Sequence, residues 1–152
     1  MADRRSAGIL VYRRAGDGVE VLLGHMGGPF WARRDEGAWS VPKGEYTPEE
    51  EAVDAARREF REELGLPVPE GDLVGLGEVR QANGKIVTVW AVEADLDPAD
   101  VVPGTFTMEW PKGSGAMREF PELDRVAWFG LADARTRIVT AQREFLDRLA
   151  GL

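Results

Sequence analysis

Residues 44–66 read GEYTPEEEAVDAARREFREELGL. Val53, Ala56, Phe60 and Leu64 recur there at spacings of three and four, which marks one apolar stripe along an α-helix. Thr47 is suited to the N-cap, Pro48 to the first helical position, and Glu50 to the third residue of a capping box. The helix is therefore expected to start at Thr47 and to stop at Gly65, in a left-handed cap after Leu64. Its second half is unusual, because Glu59, Glu62 and Glu63 fall within five positions. At about 100° per residue, Glu62 lies about 60° to one side of Glu59 and Glu63 about 40° to the other. The three carboxylates share one narrow face, beside the apolar stripe.

A solvated charged helix accounts for part of this pattern. Asp54 with Arg58, and Arg58 with Glu62, form attractive pairs four residues apart. Glu59 and Glu63 do not fit it, being like charges at the same spacing with Glu62 beside both. A hard divalent cation turns that repulsion into a site, since Mg²⁺ takes oxygen ligands and is completed by water and substrate phosphates.

Outward from the helix, strand-like runs dominate. AGILVYRR and VEVLLGHM flank the turn AGDG, and DLVGLGEVRQ and KIVTVWAVEADL flank ANG. The segment WSVPKG leads into the acidic stretch as a turn. Residues 98–124 are rich in Pro and Gly, with FTMEW as their one strand-like run; RVAWFG then reads as a last strand. A second helix is expected from about Arg137 to Leu149, with Ile138, Ala141, Phe145 and Leu149 on its apolar face. Strands, a central helix, more strands and a terminal helix describe an α/β domain with a mixed sheet. No repeat or linker divides the 152 residues, so a single domain over residues 1–152 is expected, with about 70% of the unfolded surface buried.

Composition excludes several chemistries. No cysteine is present, so neither disulfides nor thiolates contribute, and His25 is the sole histidine, against histidine triads and multi-histidine zinc sites. The net charge of −8 opposes a broad nucleic-acid footprint. Neither a signal-peptide core in MADRRSAGIL nor any apolar run of membrane-spanning length is found, and a cytoplasmic location is expected. Catalysis must rest on carboxylates, arginines, lysines, hydroxyls or a bound ion.

With those residues in view, the stretch resembles the Nudix box, G-x5-E-x7-R-E-U-x-E-E-x-G-U with U apolar. Gly44, Glu50, Arg58, Glu59, Glu62, Glu63 and Gly65 fill its fixed places, and Phe60 and Leu66 its apolar ones. The resemblance implies an α/β/α sandwich and hydrolysis of a pyrophosphate bond in a nucleoside diphosphate derivative with Mg²⁺ or Mn²⁺. It implies Glu59, Glu63 and Glu62 as metal ligands, helped by a carbonyl of Lys43 or Gly44, and Glu59 as the general base. Arg58 completes the catalytic set and is expected to brace the box through a salt bridge to Glu50; Gly44 and Gly65 serve backbone geometry. Some members take their base from a later loop, for which Glu109 is the first candidate here and Glu119 and Glu122 the others.

WSVPKGE further resembles the W-x-x-P-K-G segment of Nudix hydrolases of dinucleoside polyphosphates and of diphosphoinositol phosphates, which makes Lys43 a phosphate contact. Arg33 and Arg34 are candidates for a distal phosphate, against an ordinary charged loop tip. Phe30, Trp31 and Trp110 are candidates for base stacking, against rim packing. Trp90 and Trp128 are expected in the core, and His25 in a structural role. The leading substrate is diadenosine tetraphosphate or a related nucleoside polyphosphate. The alternatives are a house-cleaning hydrolase of nucleoside triphosphates or nucleotide sugars, and a non-catalytic nucleotide sensor. Neither DNA nor a membrane is an expected partner; the terminal helix and long loop leave room for a homodimer.

Overall fold

The computed structural model describes residues 4–152; of the N-terminal segment read above, residues 1–3 lie outside the described residues. The central strand β1 (Arg5–Ala15) turns into β2 (Gly18–Met26) through Gly16 and Asp17. Gly16, at φ 58°, supplies the left-handed residue that so tight a hairpin needs. Two short strands follow, β3 (Trp39–Ser40) and β4 (Lys43–Tyr46), then helix α1 (Ala52–Leu64). Strands β5 (Val74–Arg80) and β6 (Ile86–Glu93) form the second hairpin. The small ribbon β7 (Thr105–Glu109) and β8 (Met117–Pro121) stands apart from the main sheet. The chain ends with β9 (Leu123–Gly130), α2 (Leu131–Arg137) and α3 (Arg143–Ala150).

The main sheet is mixed, as expected. Its path is β3-β2-β1-β6-β5, with β9 on β2 and β4 on β1, and only β1 and β6 run parallel. Period-two alternation along β1 sends Ala7, Ile9 and Val11 to one face and Leu10 to the other. The first face packs on Ala55, Ala56, Phe60 and Leu64 of α1; the second packs on Ala134 of α2 and Phe145, Leu146 and Leu149 of α3. The result is the three-layer α/β/α arrangement. One edge of β1 is shared, with residues 12–15 bound to β2 and residues 5–8 to β4. That fork gives β4 its own place on β1 and sets Gly44 against Glu59 of α1.

Four local readings change. The helix begins at Ala52, with Glu51 at the N-cap and no side-chain cap bond, so Thr47 and Pro48 sit in a preceding turn. Glu50 is taken by Arg58, at 3.0 and 2.9 Å, and is not free to close a capping box. The terminal helix is divided: residues 131–137 form α2, and Ile138 leaves it to bridge Trp39 while the Val139 N–H donates to the Trp39 carbonyl at 2.8 Å. Three consecutive β-branched residues, Ile138, Val139 and Thr140, favour that break. β8 is a strand where a loop was expected; Phe106 and Phe120 face each other across the ribbon. Trp90 and Trp128 are half-buried, and the tryptophan of the core is Trp39, 3% exposed.

Gly65 ends α1 at φ 66°, as the sequence requires. No helix among the described residues is long and apolar enough to cross a membrane. Phe60 is fully buried where α1 meets the sheet. Replacing it with Ala should cost roughly 3–5 kcal/mol by lost transfer energy and a residual cavity. Urea unfolding of Phe60→Ala measures this; a loss below about 1 kcal/mol would contradict the packing.

Candidate functional site

The site grows from the last two turns of α1. The apolar stripe holds the helix against the sheet, and the neighbouring face is pressed under the segment 101–104. The Val102 N–H donates to the Leu64 carbonyl at 2.8 Å and the Gly104 N–H to the Glu62 carbonyl at 3.0 Å. These bonds occupy carbonyls that a helix end leaves unpaired. The Glu122 N–H in turn donates to the Gly104 carbonyl at 2.8 Å, which brings Glu122 beside the helix. Glu59, Glu62, Glu63, Gly104, Thr105 and Glu122 line a cleft of about 310 Å³. Glu122 also borders a second cleft of about 340 Å³, lined by Met26, Gly27, Trp31 and Phe106.

Glu59 and Glu63 are each 8% exposed, whereas Glu62 is open to solvent. The Arg58 guanidinium is bidentate on Glu50 and reaches Glu59 at 2.8 Å and Glu62 at 3.3 Å. Three carboxylates in one planar fork suit Arg and not Lys. Asp54, the expected partner four residues earlier, is passed over for Glu50. Gly44 leaves room for its neighbour: a Cβ there would lie 2.0 Å from Oε2 of Glu59, so any side chain would push that carboxylate aside.

Burial sets the charge state of the cluster. The Glu63 carboxyl is raised to about 8, first by burial and then by Glu122 and Glu59. Glu59 is raised by burial against the opposing pull of Arg58, and Glu122 by burial and Glu62. Lys43 is lowered to about 8 by burial and then by Lys85, while Glu63, Glu45 and Glu59 oppose the shift. A group of carboxylates that resists ionisation in a cleft is a mark of a functional site.

Among the described residues, no three acidic or imidazole side chains are gathered as a finished metal cage. The donor set nevertheless fits a hard divalent cation. Among the described residues, Oε2 of Glu63 is buried without a hydrogen-bond partner and the Glu59 carboxylate accepts only from Arg58, while Glu122 and the exposed Glu62 share the cleft. Oxygen ligands of this kind, completed by water and phosphate, are what such ions take.

The sequence-derived candidates divide. Arg58, Glu59, Glu62, Glu63, Gly44 and Lys43 come together around the helix end. Glu122, named with Glu119 after Glu109 among the later-loop glutamates, lies in the cleft. Glu109, ranked first, does not: it sits at the far end of β7 from Thr105, where its carboxylate accepts from the N–H groups of Gly113 and Gly115 at 2.7 and 3.2 Å. Glu119 is exposed within β8, outside the cleft. Trp31 borders the second cleft, and Arg34 stacks over it at 5.7 Å. Arg33 is exposed on the same loop, and Phe30 meets Trp110 edge-on at 5.6 Å. His25 is buried and hydrogen-bonded, in keeping with a structural role. Lys85, Thr105 and Phe106 were missed; Lys85 lies just before β6, and only pairing of β1 with β4 and β6 brings it toward Glu45, 3.8 Å away.

Comparison with known proteins supports the same picture. A family model described as NUDIX domain matches residues 2–149. The Ap4A hydrolase of C. elegans, solved as a binary complex, superposes with a TM-score of 0.67 at 22% identity, over 97% of this chain and 96% of that one. The NUDIX domain of Shewanella oneidensis NrtR, complexed with ADP ribose, gives 0.64 at 14% identity, over 99% and 88%. A mutT/nudix family protein from Listeria innocua gives 0.63 at 16% identity, over 99% and 94%. At these identities the likeness is one of fold. No curated protein matches the chain in sequence.

The buried acid predicts a pH dependence. Glu63 holds its proton to about 8 when folded, against an ordinary value of 4.5. Its contribution to stability is therefore complete below 4.5 and is lost as pH rises toward 8. Lys43, lowered from 10.5 to about 8, acts only above that window. Thermal melts in chelator should show the wild-type protein losing stability across this range relative to Glu63→Gln. Parallel curves for the two proteins would contradict the assignment.

Proposed function

Because the chain belongs to the Nudix family of pyrophosphohydrolases, we propose that it hydrolyses a pyrophosphate bond of a nucleoside polyphosphate at the Glu59–Glu63–Glu122 cleft. The observation that carries this reading is the buried, unpartnered oxygen of Glu63, set among like charges that a divalent cation would neutralise. Nudix enzymes generally use divalent metals, and Mg²⁺ or Mn²⁺ is the ion proposed here. When bound, it offsets phosphate charge and lowers the pKa of water. The protein acts as a single Nudix domain in the cytoplasm.

The residues take distinct roles. Glu59 and Glu63 hold the ion, with Glu62 and a carbonyl of Lys43 or Gly44 as further ligands. Arg58 keeps Glu59 and Glu62 oriented through its fork on Glu50. The attacking water loses a proton to a carboxylate as its oxygen bonds to phosphorus, and the bridging P–O bond breaks toward the leaving phosphate. Glu59 remains a candidate base; Glu122 takes the place first given to Glu109, because it borders both clefts. Lys43, with Lys85 beside Glu45, offers positive charge to the polyphosphate.

Diadenosine tetraphosphate is the leading substrate. The segment WSVPKG and the fold shared with the C. elegans Ap4A hydrolase support it. Two aromatic groups, Trp31 with Phe106 and Phe30 with Trp110, offer surfaces to a molecule with two bases. With Mg²⁺, the protein should release AMP and ATP from diadenosine tetraphosphate, read by chromatography within a panel of dinucleoside polyphosphates, triphosphates and nucleotide sugars. Glu63→Gln should lose at least about a hundredfold in kcat while remaining folded. Turnover confined to triphosphates or nucleotide sugars would replace the substrate assignment. Binding without cleavage of any member would favour the sensor reading, and near-normal turnover in Glu63→Gln would remove its ligand role.

A further inference from the structure

The sole histidine is spent on a link between two segments of the cleft. His25 lies in β2 and is fully buried, with the edge of its ring against Trp39 at 5.2 Å. Its Nδ1 is 2.7 Å from Oδ1 of Asp124, and its Nε2 is 2.6 Å from the carbonyl oxygen of Arg34. A carboxylate and a carbonyl both accept, so both ring nitrogens are assigned as donors.

Each partner belongs to a different wall. Arg34 lies on the loop of residues 27–38, which carries Trp31. Asp124 lies two residues beyond Glu122, at a register shift between β2 and β9: His25 pairs with Arg125 and Met26 with Leu123, which leaves Asp124 as the extra residue. A bulge re-aims a side chain, and here it aims Asp124 at His25. The two walls meet again where the Gly27 N–H donates to the Glu122 carbonyl at 3.0 Å. Trp31 and Glu122 line the same 340 Å³ cleft. The far end of the loop is tied separately, by Trp39 and Arg137 to Asp35 at 3.0 and 2.7 Å.

We propose that His25 is a positioning residue: its bond to the Arg34 carbonyl holds the Trp31–Arg34 loop to β2, beside the Glu122 segment, while Asp124 orients the ring, and this bond sets the width of the nucleotide cleft. A site held by rigid supporting bonds keeps its geometry, and loosening it weakens substrate binding before it alters the chemistry. The kinetic test rests on the nucleotide reading above; the spectroscopic tests do not.

Two isosteres separate the two bonds. His25→Gln keeps a donor at the Nε2 position, toward Arg34; His25→Asn keeps one at the Nδ1 position, toward Asp124. With diadenosine tetraphosphate and Mg²⁺, His25→Asn should raise KM about tenfold, the factor one lost hydrogen bond carries, with kcat changed less than about twofold. His25→Gln should stay within about threefold of wild type in KM. Equal KM shifts in both variants, or none in either, would overturn the proposal.

If the wild-type protein cleaves no nucleotide, the functional reading fails alone, and amide exchange decides the clamp. Exchange at residues 31–35 should quicken in His25→Asn and not in His25→Gln; equal rates would count against the clamp. If neither variant folds, nitrogen NMR of the one imidazole in the wild type decides. Hydrogens on both ring nitrogens support the clamp, and a bare nitrogen on either side overturns it.

Discussion

Everything distinctive about this molecule follows from burying Glu59 and Glu63 one helical turn apart. Two carboxylates at that spacing repel, and taking them from water raises the free energy of the charged forms further. The surroundings answer in three ways. Arg58 gives one arm of its fork to Glu59. Gly44 leaves space for that carboxylate where any Cβ would collide with it. Glu63 is left with an oxygen that no group among the described residues satisfies. A helix selected for stability alone would carry none of these features. The cation proposed above would account for all of them.

The sheet is built to bring the other walls to that helix. Forking of the β1 edge between β2 and β4 sets Gly44 against Glu59 of α1. Backbone bonds from residues 102, 104 and 122 tie the approach to β7 and the start of β9 to the helix end. Three chain segments distant in sequence thus converge through main-chain bonds, which hold position irrespective of what the carboxylates do. This divides the labour of the site: the backbone fixes the frame, and the carboxylates remain available for charge.

Much of this was legible in the sequence, for reasons that differ by element. The stripe in α1 is regular, and Gly65 marks its end because only glycine takes that conformation cheaply. The two hairpins declare themselves by alternation and glycine turns. The helix start was misread because Thr47 and Glu50 satisfy a local capping rule, while Glu50 is claimed by Arg58 eight residues away. The terminal helix was misread because Ile138 is apolar in the right phase, yet is buried by a bridge to Trp39. Glu109 was named ahead of Glu119 and Glu122, and the ribbon β7–β8 turns it to its own loop, a placement no local pattern shows. Local chemistry could be read; pairings across long separations could not.

The carboxylate pair is proposed to hold a divalent cation. Titration with Mn²⁺, followed by the electron paramagnetic resonance of the free ion, tests that role without reference to any substrate. The wild-type protein should bind Mn²⁺ saturably, Mg²⁺ should displace it, and the Glu59→Gln, Glu63→Gln double variant should fold yet leave the ion free. A folded double variant that binds Mn²⁺ as tightly as the wild type would contradict the account.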